Sequence, residues 1–279
     1  MGTAQIVVQE EDHPVTTGRF VGLKRFYRAN QRLILGVVGI LLVLIPWEIM
    51  ARLGMVKLIL VSSPTSVIQT FFNEFERGTL WRDVWATLQV WILGFTIAAV
   101  VGILIGLAAG WFRRASYVAV PWLNVLYAAP ELAFIPMFIL WLGIGVAFKV
   151  WIVFLACVFQ VSLNTVAGVH ATEARFLDVA KTYGASGLTL FRTVVLPGSV
   201  PYIMTGLRQG AGRAVVGVVA AEFISSNQGI GFLISVSGQT LQTSRVFVGI
   251  ILLAAFGIFL GEVLGRIDKS FDKWRRVAA

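Results

Sequence analysis

Cysteine and histidine are nearly absent from this chain of 279 residues, which holds one cysteine, Cys157, and two histidines, His13 and His170. One cysteine cannot close an intrachain disulfide, and so few Cys and His residues exclude a zinc centre built from them. Charge is scarce as well. Asp, Glu, Lys and Arg make up 13% of the chain, where soluble domains carry about 25%. A water-soluble domain and a disordered chain are both excluded on that ground. Catalytic patterns are missing too: no Ser/His/Asp arrangement, no HExxH, and no GxxxxGK[ST] loop to cradle phosphates. None of the six lysines follows a glycine. No catalytic and no metal site is therefore expected. What the chain has in quantity is apolar residues, 57% of the total, and the class that remains is a polytopic membrane protein.

A helix needs about 20 apolar residues to cross the hydrocarbon core. Six stretches meet this, at 33–50, 84–111, 117–142, 147–169, 200–221 and 246–264. The expected fold is all-α, a bundle of about six spans. Pro121, Pro130 and Pro136 fall in the third stretch, which is expected to be bent or interrupted; membranes tolerate this where protein or a water-filled cavity satisfies the freed backbone.

The net charge of +9 points to membrane orientation and not to nucleic acid. Arg19, Lys24, Arg25, Arg28, Arg32, Arg113, Arg114, Arg175, Lys181, Arg192, Arg266, Lys269, Lys273, Arg275 and Arg276 fall on one side of the six-span reading. Arg52, Lys57, Arg77, Arg82, Lys149 and Arg245 fall on the other. The richer side is cytoplasmic, so both termini are expected in the cytoplasm. Residues 1–32, polar and with an acidic cluster at Glu10, Glu11 and Asp12, read as a cytoplasmic tail and not as a cleaved leader. Residues 33–268 read as the transmembrane domain and 269–279 as a second cytoplasmic tail.

Three glycine stripes, Gly102/Gly106/Gly110, Gly206/Gly210 and Gly257/Gly261/Gly265, allow close helix approach in lipid, inside the bundle or between subunits. In the outer connection, Pro64 opens an expected surface helix over 65–77, with Val67, Ile68, Phe71, Phe72 and Phe75 on one side to lie on the membrane.

The connection at 169–199 is cytoplasmic by charge and reads as two short helices. The first, 172–183, ends at Gly184, because glycine tolerates the positive φ of a helix stop. The second starts at Ser186 as N-cap, and Leu196-Pro197 breaks it and returns the chain to the membrane. Phe176, Val179, Ala180 and Tyr183 share one face of the first helix by i, i+3, i+4, i+7 spacing. That apolar face needs a cover: the protein's own helix ends or a second protein.

The segment Asp178-Val179-Ala180, Lys181-Thr182-Tyr183, Gly184, then Leu196-Pro197 resembles the EAA loop of ABC importer membrane subunits, with Asp and Val in place of the first Glu and Ala. Further landmarks run from Ser62 to Trp274. They include Ser63-Pro64-Thr65, Gly94-Phe95, Pro130 with Ala133 and Pro136, Trp141-Leu142-Gly143-Ile144-Gly145, and Asn164-Thr165 with Gly168. Gly206-Leu207-Arg208, Ala221-Glu222, Gly229-Ile230-Gly231 and Arg266 complete the set. Together they are similar to binding-protein-dependent (type I) permeases of the nitrate/sulfonate/taurine type. The resemblance implies a permease in a bacterial inner membrane, paired with a second copy, moving a small polar solute inward. It implies a separate ATPase that holds ATP and Mg, a solute-binding protein at the outer face, and no cofactor on this chain. It implies ATPase coupling through Glu173, Phe176, Asp178, Val179, Ala180, Thr182, Tyr183, Gly184, Ala185 and Pro197. An ion-coupled carrier without an ATPase is the alternative reading.

Charges within spans tend to face protein or water. Glu131, Asn164, Arg208 and Glu222 are the candidate pathway residues. For Glu131 two readings stand, an ion pair with an arginine of the fifth span and a carboxylate on the path that favours a cationic group. Glu222 is open between the same two roles.

Overall fold

In this computed structural model the described residues are 19–55, 58–224 and 226–270. The acidic cluster near the start of the chain and the tail carrying Trp274 lie outside them. The chain divides into two units, residues 1–56 and 57–279. The helix described in the first is α1 (Arg19–Arg52), which is kinked at Asn30 (φ −111°, ψ 15°) and carries Pro46 inside. Its stretch Ile34–Arg52 is long and apolar enough to cross a membrane.

The regular elements among the described residues of the second unit are all helices. It opens with α2 (Leu58–Val61), α3 (Pro64–Glu76), α4 (Thr79–Trp111) and α5 (Arg113–Ala128). A 3-10 turn at Glu131–Phe134 leads to α6 (Ile135–Leu142) and α7 (Val146–His170). Then come α8 (Ala174–Thr182), α9 (Gly187–Leu190), a π turn at Phe191–Val195, and α10 (Leu196–Ile224). It closes with α11 (Ile230–Gln239) and α12 (Thr243–Ser270).

Glycines hold the central layer together. A Cβ on Gly94 would stand 2.6 Å from Val153, on Gly102 3.0 Å from Val161, and on Gly110 2.6 Å from Val169; Gly106 is pressed against Thr165. Only glycine lets α4 and α7 approach so closely. Gly206 and Gly210 bring α10 onto the other side of α7, beside Asn164 and Val161. Two of the three glycine stripes are thus internal packing. The third, Gly257/Gly261/Gly265 on α12, meets no atom within 4 Å among the described residues.

The six expected spans map onto helices, with two departures. α4, α7, α12 and the α1 stretch pass as spans by length and composition, and α5 with the Glu131–Leu142 segment forms one span bent by 87°. The bend falls where expected, because Pro130 has no N–H to donate and forces Ala129 into an extended conformation (φ −70°, ψ 138°). α10 has 29 residues, but Arg208, Gln209 and Arg213 make it too polar to pass by composition alone. α3 also departs from expectation. Ser63 caps it, its Oγ accepting from Ser66 N at 3.2 Å, but its apolar residues split between two sides. Val67 and Phe71 pack with Leu80, Leu233 and Val248, while Ile68, Phe72 and Phe75 stay exposed. Glu74 explains the split: buried beside Thr79, it pairs with Arg245 at the start of α12 and locks α3 to the bundle.

A candidate docking segment and the polar groups of the bundle

The link from α7 to α10 carries the motif-like residues. Glu173 sits at the N-cap of α8 and pairs with Arg175, whose guanidinium lies 4.9 Å over the Phe176 ring. Asp178 accepts from Lys181 Nζ at 3.2 Å, and Thr182 Oγ1 donates to the Asp178 carbonyl at 3.0 Å. Gly184 takes φ +85°. Its N–H reaches the Lys181 carbonyl at 2.8 Å, and the Ala185 N–H reaches the Ala180 carbonyl at 2.9 Å. This pair of bonds is the Schellman stop, which fixes the chain direction out of α8.

No residue of α8 is buried. Phe176, Val179 and Ala180 form one wall of a cavity of about 530 Å³, with Val194, Pro197 and Tyr202 opposite. Thr172 Oγ1 lines it, buried and without a hydrogen-bond partner. Tyr183 is 89% exposed and Val179 56%. The expected apolar face is therefore real but not tucked against its own bundle.

One expectation about this segment is corrected. Leu196-Pro197 does not break the chain back toward the membrane. The helical run continues from Gly187 to Ile224. Pro197 cannot donate to residue 193, and the π turn just before it absorbs the mismatch, with the Leu196 N–H bonded five residues back to Phe191 O. Ser186 occupies the N-cap position, with no side-chain cap bond.

Within the bundle the polar groups sort into three sets. At the α8 end, Arg208 pairs with Asp268 of α12. In the middle, Gln160 and Asn164 both donate to Gln209 Oε1, the latter at 3.3 Å. Arg213 lies over the Tyr127 ring at 4.7 Å, and Glu131 stands half-buried in the broken span. Among the described residues the Glu131 side chain makes no ion pair.

At the far end, Glu222 is 1% exposed. Thr87 Oγ1 donates to it at 2.9 Å and the Gly231 N–H at 2.8 Å. Thr87 Oγ1 in turn accepts from Ile230 N, and Asp83 accepts from Gly229 N at 3.1 Å. Lys149, bonded to Ser226 Oγ at 2.7 Å, lies within electrostatic range of Glu222. The Gly229-Ile230-Gly231 motif now has a reason: a Cβ on Gly231 would stand 2.8 Å from Glu222 Cβ, and Gly229 is pressed on the carboxylate at φ +125°. Sequence reasoning missed Thr87, Asp83, Lys149, Asp268 and Tyr127. Each meets its partner far along the chain and leaves no local pattern; the clearest signal was the charge of Lys149, which falls inside the predicted span 147–169.

Among the described residues no group of three His, Cys, Asp or Glu side chains is placed to hold a metal ion. Long apolar helices, a broken span and a short exposed helix slung between α7 and α10 define a polytopic membrane protein of the transport class. The family model described as "binding-protein-dependent transport system inner membrane component" matches residues 98–273, and the chain belongs to that family. It is 31% identical to the putative aliphatic sulfonates transport permease protein SsuC of Bacillus subtilis (strain 168), over 82% of this chain and 83% of that one. It is 34% identical to the corresponding protein of Escherichia coli (strain K12), over 85% and 89%. With the taurine transport system permease protein TauC of the same strain it shares 28% identity over 90% and 94%. Its fold matches a chain from inward-facing conformations of the MetNI methionine ABC transporter, with a TM-score of 0.56, 16% identity, and 69% of this chain and 94% of that one covered. The chain is thus a multi-pass inner-membrane permease subunit of the ABC importer class, and permeases of this class work with ATPase and solute-binding partners. The match favours this reading over the ion-coupled carrier.

Proposed function

We propose that this chain is half of the membrane channel of an ATP-driven importer and that α8 is the element its ATPase grips. The observation that carries this is α8 itself: a helix with no buried residue, closed by a rigid stop at Gly184, with Val179 and Tyr183 exposed. Exposed large apolar groups at the end of a bundle mark an interaction surface. Glu173, Asp178, Thr182 and Ala185 rim that surface, and Phe176, Ala180 and Pro197 shape the cavity behind it.

The helical run from Gly187 to Ile224 supplies the coupling. A push on α8 reaches α9 through the fixed Gly184 turn, and α9 continues into α10 without a loop. α10 carries Arg208, Gln209 and Arg213, so motion of the ATPase is delivered to the polar face of the bundle. ATP and Mg sit in the partner, where hydrolysis takes place; this chain binds no cofactor. Two copies of the chain, both termini cytoplasmic and the outer surface bathed in lipid, enclose the path. Asn164 and Glu131 line it, Arg208 with Asp268 controls its inner end, and Glu222 holds the outer end in shape. A solute-binding protein delivers the cargo, a small polar solute of the sulfonate, taurine or nitrate kind, in line with the relatives' sulfonates and taurine.

The test is copurification with an ABC-type ATPase produced together with this chain. Proline has φ near −65° and cannot occupy the φ of +85° at Gly184. Gly184→Pro is expected to abolish copurification while membrane yield stays near normal. Copurification that survives Gly184→Pro unchanged contradicts the assignment.

A further inference from the structure

α4 and α7 end side by side, with Gly110 pressed on Val169. There Trp111 packs on Phe191 of the π turn, at 5.2 Å between ring centroids. That contact gathers three arginines: Arg113 and Arg114, which open α5, and Arg192 next to Phe191. All three are exposed, and among the described residues none pairs with a carboxylate. The first turn of α5 carries no acidic residue. Arg113 Nε donates to Tyr117 Oη at 2.7 Å, which fixes its guanidinium at the edge of α5. An apolar strip leads away from this patch. Val118, Trp122 and Val125 follow Arg114 at i+4, i+8 and i+11 and so share its side of the helix. They are 68%, 65% and 62% exposed. Tyr127, which receives Arg213 of α10, lies half a turn round from Val118, so the strip faces away from the polar residues of α10. From Arg114 to Val125 the strip runs about 16 Å at 1.5 Å per residue, about half the hydrocarbon core and so one leaflet.

We propose that this corner binds one anionic phospholipid of the cytoplasmic leaflet. Its phosphate lies on Arg113, Arg114 and Arg192, and an acyl chain runs along Val118, Trp122 and Val125. Guanidinium forks match phosphate oxygens, and basic pockets between membrane helices on the cytoplasmic side hold acidic headgroups. A zwitterionic lipid finds the same strip but brings its own cation to three arginines. The inference rests on the permease reading, which puts the α8 end in the cytoplasm, and adds a lipid partner on that side.

The experiment takes the permease copurified with its ATPase into micelles holding equal phosphatidylglycerol and phosphatidylcholine, and reads retained lipid by native mass spectrometry. The wild type is expected to keep one phosphatidylglycerol per permease chain in preference to phosphatidylcholine. Arg113→Gln, Arg114→Gln and Arg192→Gln should each weaken that preference by about fivefold, the usual worth of one basic residue at a membrane surface. The triple variant should hold the two lipids equally. Arg114→Lys keeps the charge and should keep most of the preference; it is read in place of Arg114→Gln if that variant does not fold. Trp122→Ala should loosen both lipids alike. Glycerophosphoglycerol, the headgroup without its chains, should not displace the lipid; displacement makes this a site for a free phosphate ester and overturns the proposal. Arg266→Gln, exposed on α12, is the control. An equal loss of preference there, or no preference in the wild type, means general surface charge and overturns the site. Loss of the ATPase from the arginine variants with lipid retention unchanged gives the patch to the ATPase and overturns it too. All these outcomes leave the wild-type complex, and with it the permease reading, intact. Failure of the wild-type complex to copurify overturns that reading instead.

Discussion

The two ends of the α7–α10 pair are built in opposite ways. At the α11 end every buried charge has partners: Glu222 takes bonds from Thr87 and Gly231, Asp83 from Gly229, and Lys149 reaches Ser226. At the α8 end a cavity stands open and Tyr183 is almost wholly exposed. A network that pairs each of its buried charges has one arrangement, because any shift leaves a charge unsatisfied. A helix with no buried residue has little to lose by moving. The contrast makes the α11 end a fixed base and the α8 end the part free to be moved.

Breaking the fixed end should cost most. Glu222→Ala leaves the Thr87 hydroxyl and the Gly231 N–H without their acceptor in the interior, for about 2–5 kcal/mol. Thermal unfolding of the purified protein should show this as a large drop in midpoint, with most of the loss spared in Glu222→Gln, whose amide oxygen still accepts. Gly231→Ala pushes a methyl into Glu222 and should cost about 1–3 kcal/mol in the same assay. At the other end Gly184→Ala strains one exposed left-handed residue, for about 1–2 kcal/mol. Tyr183→Ala should change stability by no more than about 0.5 kcal/mol, as exposed substitutions do, yet weaken ATPase copurification. Equal stability losses for Tyr183→Ala and Glu222→Ala would erase the contrast.

Legibility in the sequence follows the range of the physics. Span positions come from long apolar runs, the break from Pro130, and the end of α8 from Gly184, each a property of neighbouring residues. α11 was not anticipated, because ten residues are too few to announce a span. The π turn was hidden behind Pro197, which in isolation reads as a helix breaker. Glu222 and Thr87 lie 135 residues apart, and Arg208 and Asp268 lie 60 apart, so no periodicity could pair them. The apolar face of α8 was legible as a pattern. Its division into a cavity wall and a bare rim was not, since that depends on where Val194 and Tyr202 stand.

The claim that α8 is gripped by a separate ATPase is tested most directly by placing a photo-crosslinking amino acid at Tyr183 and, as control, at Trp81, which is 68% exposed. Irradiation of intact cells should give an adduct with the ATPase from position 183 and none from position 81. No ATPase adduct from position 183, with the labelled chain folded and in the membrane, contradicts the account.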